Sequence, residues 1–313
     1  MRDAGCENAR LLRQSIQEDA EVRGRERLRN TRVRGRRRYH SATLRALEVK
    51  NIVIGKCKLC LAENVRLLES HLLPAGFYRR IRSKQKNPHP LLISAKGTRS
   101  SSDQVTDNVL CEKCEPLVAK NGEDYALRIA ADERGFRLLD ELIHAGLIQG
   151  KECRWSELGN SPDVKRDHLV YFAASVFWRA AVHRWPDPED PTRTIKIELG
   201  AENTQLLRRF LLGEAALPPT VNLSLYVLTD RLSQATIYLP GRTSKVGFRW
   251  GFGFVACGFM FNLFLGKKVD PAASRVCLIH SPERFIWIRD GEQKTLEAVG
   301  HINRQRAAKS WPR

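Results

Sequence analysis

The sequence predicts an α+β protein: a small cysteine-stapled module, a central run of helices, and a C-terminal, mainly antiparallel sheet. Three observations predict it. Two Cys-x-x-Cys knuckles, Cys57-Lys58-Leu59-Cys60 and Cys111-Glu112-Lys113-Cys114, stand 50 residues apart. Apolar residues recur at helical spacing through about 126–213, and runs of strand formers separated by turn residues fill about 220–290. The expected organisation is therefore an arm at 1–48, a zinc module at 49–125 and an α+β domain at 126–313.

Residues 1–48 hold 13 Arg and no Lys against seven acidic residues, with ten of the arginines between Arg23 and Arg45. This composition lacks a core-forming pattern. It reads as a basic arm that contacts phosphates, as a solvated tail, or, if translation starts at Val49, as sequence outside the protein. The whole chain carries a formal charge of +18 with a pI near 9.9, and without the arm 40 basic residues still face 28 acidic ones. That balance favours a polyanionic partner, with nucleic acid first; DNA and RNA stay equally open, as does any protein or ligand of the C-terminal domain.

Ile52–Ile54 reads as a short strand feeding the first knuckle. Each two-residue gap lets a tight turn aim two sulfurs at one metal, and four thiolates complete a tetrahedral structural Zn²⁺ through Cys57, Cys60, Cys111 and Cys114. The loop between the knuckles is longer than the roughly 15–20 residues of a compact zinc ribbon, so it should contain structure of its own. Within it, 74–82 has helical character, with Phe77, Tyr78 and Ile81 on the apolar side and Arg79, Arg80 and Arg82 on the basic side. The segment 91–94 reads as a strand, 97–103 as a mobile loop, and 107–110 as an extended lead into the second knuckle.

Helical patterns follow at 121–148, closed by Gly150; at 167–185, stopped by Pro186; and at 202–212, ended by Gly213. His168 and His183, on the second of these, read as ordinary packing or surface residues. Strands are expected at 221–228, 235–239, 246–257, 259–265, 276–280 and 285–288. The apolar stretch Gly251–Gly266 is 16 residues long with four glycines. It is short for a membrane-spanning helix and reads as two buried strands kinked at Gly258. Cys6, Cys153, Cys257 and Cys277 show no disulfide spacing, and no apolar leader stands at the N-terminus. The expected compartment is the cytoplasm, without membrane association.

The order Cys-x-x-Cys, then His71-Leu72-Leu73-Pro74, then Asn108-Val109-Leu110-Cys111-x-x-Cys114 resembles the zinc-stapled HNH endonucleases of the ββα-metal (His-Me finger) superfamily, over about residues 54–125. The resemblance implies a ββα-metal-like module in which His71 is the general base that activates water against a phosphodiester. It makes Asn108 the asparagine that steadies the base, and adds a divalent cation, Mg²⁺ or Mn²⁺, at the leaving oxygen. Candidate ligands for that cation are Glu69, Asp107, Asn121 and Glu123. Arg79, Arg80, Arg82 and Lys84 would lie along the phosphate track.

The chain departs from the family where an acidic ligand precedes the histidine, since Ser70 stands there. Glu69, one residue further back, points to the other strand face unless a bulge intervenes. The 36 residues between His71 and Asn108 also exceed a compact ββα unit. A Ser70–His71 nucleophile pair is excluded because adjacent residues on a strand diverge and no acidic third member is evident. Three functions remain: a metal-dependent nuclease, a non-catalytic zinc module that binds nucleic acid or protein, and a sensor whose sheet controls the zinc module. His71 itself is then a base, a metal ligand, or a brace whose ring nitrogen holds the zinc loop or nearby backbone.

Overall fold

The computed structural model describes residues 52–84, 91–94, 97–100, 103–149, 154–187, 190–243, 250–266, 277–280 and 285–289. The arm at 1–48 and the Lys84 side chain lie outside the described residues. Strands β1 (Val53–Gly55), β2 (Val65–His71) and a later strand, β5 (Thr106–Cys111), form an antiparallel sheet in the order β1-β2-β5. Between β2 and β5 run helix α1 (Ala75–Lys84) and the hairpin β3 (Leu91–Ser94) and β4 (Gly97–Ser100). Residues 97–100 of the segment expected as a mobile loop thus pair with the strand before them. Phe77 and Ile81 are the buried side of α1, as its spacing predicts.

Cys114 opens helix α2 (Cys114–Val118), which passes through one π-helical turn (Ala119–Glu123) into α3 (Asp124–Ile129). The helix expected to run from 121 to 148 breaks here. Ala130 turns extended, and a two-residue hairpin, β6 (Ala131–Asp132) and β7 (Gly135–Phe136), precedes α4 (Arg137–His144). Asp132 Oδ1 accepts the Arg134 amide at 2.8 Å, Gly135 takes φ +146°, and Arg80 bonds both the Ala130 carbonyl and Asp132. Turn chemistry and a tertiary cation outweigh helix periodicity there.

Short strands β8 (Ile148–Gln149) and β9 (Arg154–Glu157) follow, then the long helix α5 (Arg166–Val182). Of its 17 residues, 13 are buried, which explains why it shows almost no amphipathic stripe. It ends three residues before the expected Trp185, because His183 turns extended and the Trp185 indole folds back to donate to the Arg179 carbonyl at 2.8 Å. Trp185 and Pro186 belong instead to β10 (Trp185–Asp187), paired with β11 (Asp190–Ile195). Helix α6 (Ala201–Leu211) then ends at Gly213, whose φ of +73° is the left-handed closure that glycine permits.

The C-terminal sheet has seven strands in the order β13 (Ile237–Arg242), β14 (Trp250–Ala256), β15 (Phe259–Leu265), β12 (Val221–Leu228), β16 (Phe285–Arg289), β9, β8. Every pair is antiparallel except β12 with β16. β14 and β15 join through Cys257-Gly258, both at positive φ, a two-residue turn at the expected kink. A one-turn helix, α7 (Arg231–Gln234), lies between the strands expected at 221–228 and 235–239, and of the strand expected at 276–280 the described residues contribute a single bridge, Ser224 to Cys277.

One apolar core runs from Cys57 to Ile288. Phe172 of α5 links its two ends: its ring lies 5.5 Å from Phe77 of α1 and 5.9 and 5.6 Å from Phe254 and Phe261 of the sheet. α5 also meets the π-helical turn, where a Cβ on Gly122 would come within 2.7 Å of the Phe172 amide nitrogen. Only glycine allows that crossing.

Candidate functional site

The four knuckle cysteines converge. Their sulfurs all lie within 4.8 Å of one another, and Cys60 Sγ stands 3.8 Å from Cys111 Sγ. A tetrahedron with metal–sulfur bonds of ~2.3 Å has an edge of about 3.8 Å. The first knuckle is closed by the Leu61 amide donating to the Cys57 carbonyl, with Leu61 and Asn64 at positive φ. Backbone amides link the two knuckles in both directions: Cys111 N–H points at Cys57 Sγ, and Lys58 N–H of the first knuckle donates to the Val109 carbonyl at 3.1 Å. Helix α6 grips the same turn through Arg208, which donates to the Leu59 carbonyl.

The thiols are electrostatically unequal. A hydrogen bond from Cys114, followed by backbone amides, pulls the Cys57 thiol down to about 4, while the same contact and burial push Cys114 up. Burial also raises Cys60. The raised Cys60 and Cys114 thiols disfavour further thiolates beside Cys57, and a bound metal ion is what would allow four thiolates together. The donor set and the spacing fit such an ion.

His71 ends β2 on the strand face it shares with Glu69. The cross-strand partners on that face are Asn108, opposite Glu69, and Thr106, opposite His71. A bulge does intervene between Leu68 and Glu69, but its extra residue is Val109 of β5, so Glu69 and His71 stay two residues apart on one face. Glu69 is exposed and accepts from the Thr106 hydroxyl at 3.3 Å. The imidazole is half-buried and lies beside the Gln104 side chain. Burial holds its pKa below the ordinary histidine range; the Arg179 cation adds to that effect, while Glu69, Glu123 and Gln104 oppose it. Its resting state near neutrality is the uncharged ring.

Behind the strand lies a network that sequence reasoning missed. Ser70 is fully buried, and its hydroxyl donates to Glu115 Oε2 at 2.7 Å while accepting from the Leu110 amide at 3.3 Å. Burial raises the Glu115 carboxyl above its usual range, and the Ser70 hydroxyl and Arg179 work against that. Arg179 of α5, 1% exposed, donates to the His71 carbonyl at 2.7 Å and to Glu123 Oε1 at 2.5 Å. Ser175, one helical turn earlier, accepts from the same guanidinium through its hydroxyl and its carbonyl.

The other candidates fall on different partners. Asp107, on the face of Ser70, accepts from the Asn108 amide and pairs with His183 Nε2 at 2.8 Å, so His183 has a defined polar role as well as its edge-on contact with Trp185. Asn121 faces α5: its carbonyl bonds the His168 ring, and its side chain meets Tyr171. Glu123 is committed to Arg179. Among the described residues, the four cysteines are the one group of three or more His, Cys, Asp or Glu side chains gathered closely enough to hold a metal. Glu69, Asp107, Asn121 and Glu123 do not form a shared cradle; of the four, only Glu69 shares the strand face of His71. Of the basic residues on α1, Arg79 is exposed, whereas Arg80 is bound internally to Asp132 and Ala130.

Glu115 carried a readable signal, since it directly follows a knuckle cysteine in the first turn of a helix. Arg179 carried a weaker one, a lone cation within an apolar helix. No protein-family model, curated protein or solved structure matches this chain.

Proposed function

We propose that the cysteine-stapled hairpin is the working part of an HNH-like hydrolase of nucleic-acid phosphodiesters, with Zn²⁺ on the four cysteines and His71 as general base. The observation that carries this reading is how His71 is held. Arg179 fixes it through its backbone carbonyl, and among the described residues its ring has no backbone partner and no link to the cysteine loop. A bracing histidine would be held the other way round. A neutral imidazole with a steering side chain at Gln104 is the state in which a base accepts a proton from water.

Asn108 and Glu69 flank the base on its own face. Glu69 would fix the tautomer of the imidazole, and Asn108 would hold the strand edge that the base projects from. A hard cation bound here would rest on Glu69 and phosphate oxygens, the sparse ligation that Mg²⁺ accepts, and would neutralise charge on the leaving oxygen. Arg79 is the α1 cation placed to meet phosphate.

A second reading is favoured by one specific observation: Glu123 and Asp107 are taken by Arg179 and His183. On that reading the hairpin binds nucleic acid without cutting it. Incubating the purified protein with plasmid DNA and with RNA in Mg²⁺ or Mn²⁺, beside His71→Ala, separates the two. Cleavage lost in the variant supports the hydrolase. Equal cleavage in both, or none in either with binding retained, overturns it.

A further inference from the structure

We propose that Cys60 is a site of oxidation by hydroperoxides, at which the Zn²⁺ staple is exchanged for a Cys60–Cys111 disulfide. The inference rests on the reading that the four cysteines hold Zn²⁺, and it concerns how that ion is lost. Cys57, Cys111 and Cys114 are buried, as are Cys257 and Cys277, so Cys60 is the exposed cysteine among the described residues. It opens a run of five exposed residues, Cys60 to Asn64, that leads the chain into β2. A peroxide arriving from solvent therefore meets Cys60 before the other ligands. The sulfur beside it belongs to the other knuckle: Cys111 Sγ is 3.8 Å away, across 51 residues of chain. Cys57, which shares the first knuckle with Cys60, is engaged by the Cys111 amide and by Cys114.

Metal ligation keeps Cys60 as a thiolate, the nucleophilic form of the residue. Its sulfur attacks one peroxide oxygen: an S–O bond forms, the O–O bond breaks, and the second oxygen leaves as hydroxide or alkoxide. Cys60 becomes a sulfenic acid, the sulfur being oxidised and the peroxide reduced by the same electron pair. Cys111 then attacks the Cys60 sulfur, forming the S–S bond and expelling the sulfenic oxygen as hydroxide, and solvent protons neutralise both leaving groups. Two of the four ligands are thereby withdrawn, and Cys57 and Cys114 alone do not complete a tetrahedral site. The disulfide joins the same two knuckles that the metal joined, so the loop between them stays closed. Oxidation thus differs from chelation, which removes the staple without replacing it.

The test treats the zinc-loaded full chain with hydrogen peroxide and follows metal release with a metallochromic dye, beside disulfide mapping by mass spectrometry. Trypsin cleavage after Lys56, Lys58 and Lys113 places each knuckle cysteine on its own peptide. Expected are one Zn²⁺ released per disulfide, the 59–66 peptide joined to the 100–113 peptide, and reversal by dithiothreitol with added zinc. The oxidised protein should keep the melt of the hairpin, whereas protein stripped with EDTA should lose it. Cys60→His, which offers a zinc-binding nitrogen in place of the exposed sulfur, should hold its metal under the same treatment. The wild-type peptide map carries the test should that variant fail to load. In zinc-loaded protein, a first disulfide other than Cys60–Cys111, no release of metal, or a melt like that of the EDTA-treated protein would overturn the inference and leave the zinc reading standing. Native protein without zinc would overturn both.

Discussion

Replacing Arg179 by Met tests the polar network beneath His71. The substitution keeps the length of the buried stem but removes the cation, leaving Glu123, whose side chain is 13% exposed, without its partner, and the His71 carbonyl without its donor. Glu115 would also lose the positive charge that opposes its burial. Breaking a buried ion pair from one side costs about 3–5 kcal/mol, because the remaining charge stays desolvated. For a chain of this size that corresponds to a fall in Tm on the order of 6–20 °C. The assay is guanidinium unfolding of wild type, Arg179→Met, Glu123→Gln and the double variant. The double variant should be more stable than Arg179→Met, since the orphaned carboxylate is gone. A loss under about 1 kcal/mol in Arg179→Met, or strict additivity of the two substitutions, would refute the network as described.

Three further outcomes are expected. The depressed His71 pKa means that the unfolded chain takes up a proton before the folded one, so its contribution to stability is present above the ordinary value of 6.5 and is lost as pH falls through the window below it; unfolding from pH 8 to 5 should show this slope in wild type and a flatter one in His71→Gln. Native protein should carry one zinc ion per chain by elemental analysis, and Cys57→Ser should lose both the metal and the cooperative melt of the hairpin. Gly122→Ala, which helix propensity alone would favour, should instead destabilise by about 1–3 kcal/mol, because the new methyl meets the Phe172 backbone; an unchanged denaturation midpoint would show that α5 can shift aside.

Much of the fold was legible because it rests on local signals. The knuckles, the strand pair around Gly258, the buried side of α1 and the end of α6 at Gly213 each follow from spacing or from a residue whose backbone freedom is needed. The helix break at Ala130 was hidden, since it depends on Arg80, 50 residues away, bonding the Ala130 carbonyl. The parallel pairing of β12 with β16 leaves no trace in either strand. At the candidate site, the cysteine cluster could be read from order alone. Ser70 looked like a missing ligand, yet it is the inward anchor for Glu115. Arg179 stands 108 residues from the His71 carbonyl it holds, and a helix buried on all sides offers no periodic stripe to mark which residue faces β2.

Phe172 and Arg179 have a consequence for how this protein can be cut or recombined. A fragment ending at residue 125 would keep all four sulfurs and His71 but surrender the ring against Phe77 and the guanidinium under the β2 strand. Such a piece could still load metal while its histidine loses a fixed orientation. The hairpin is therefore not a portable cassette: domain shuffling or proteolysis that separates it from α5 would uncouple metal occupancy from whatever work His71 performs.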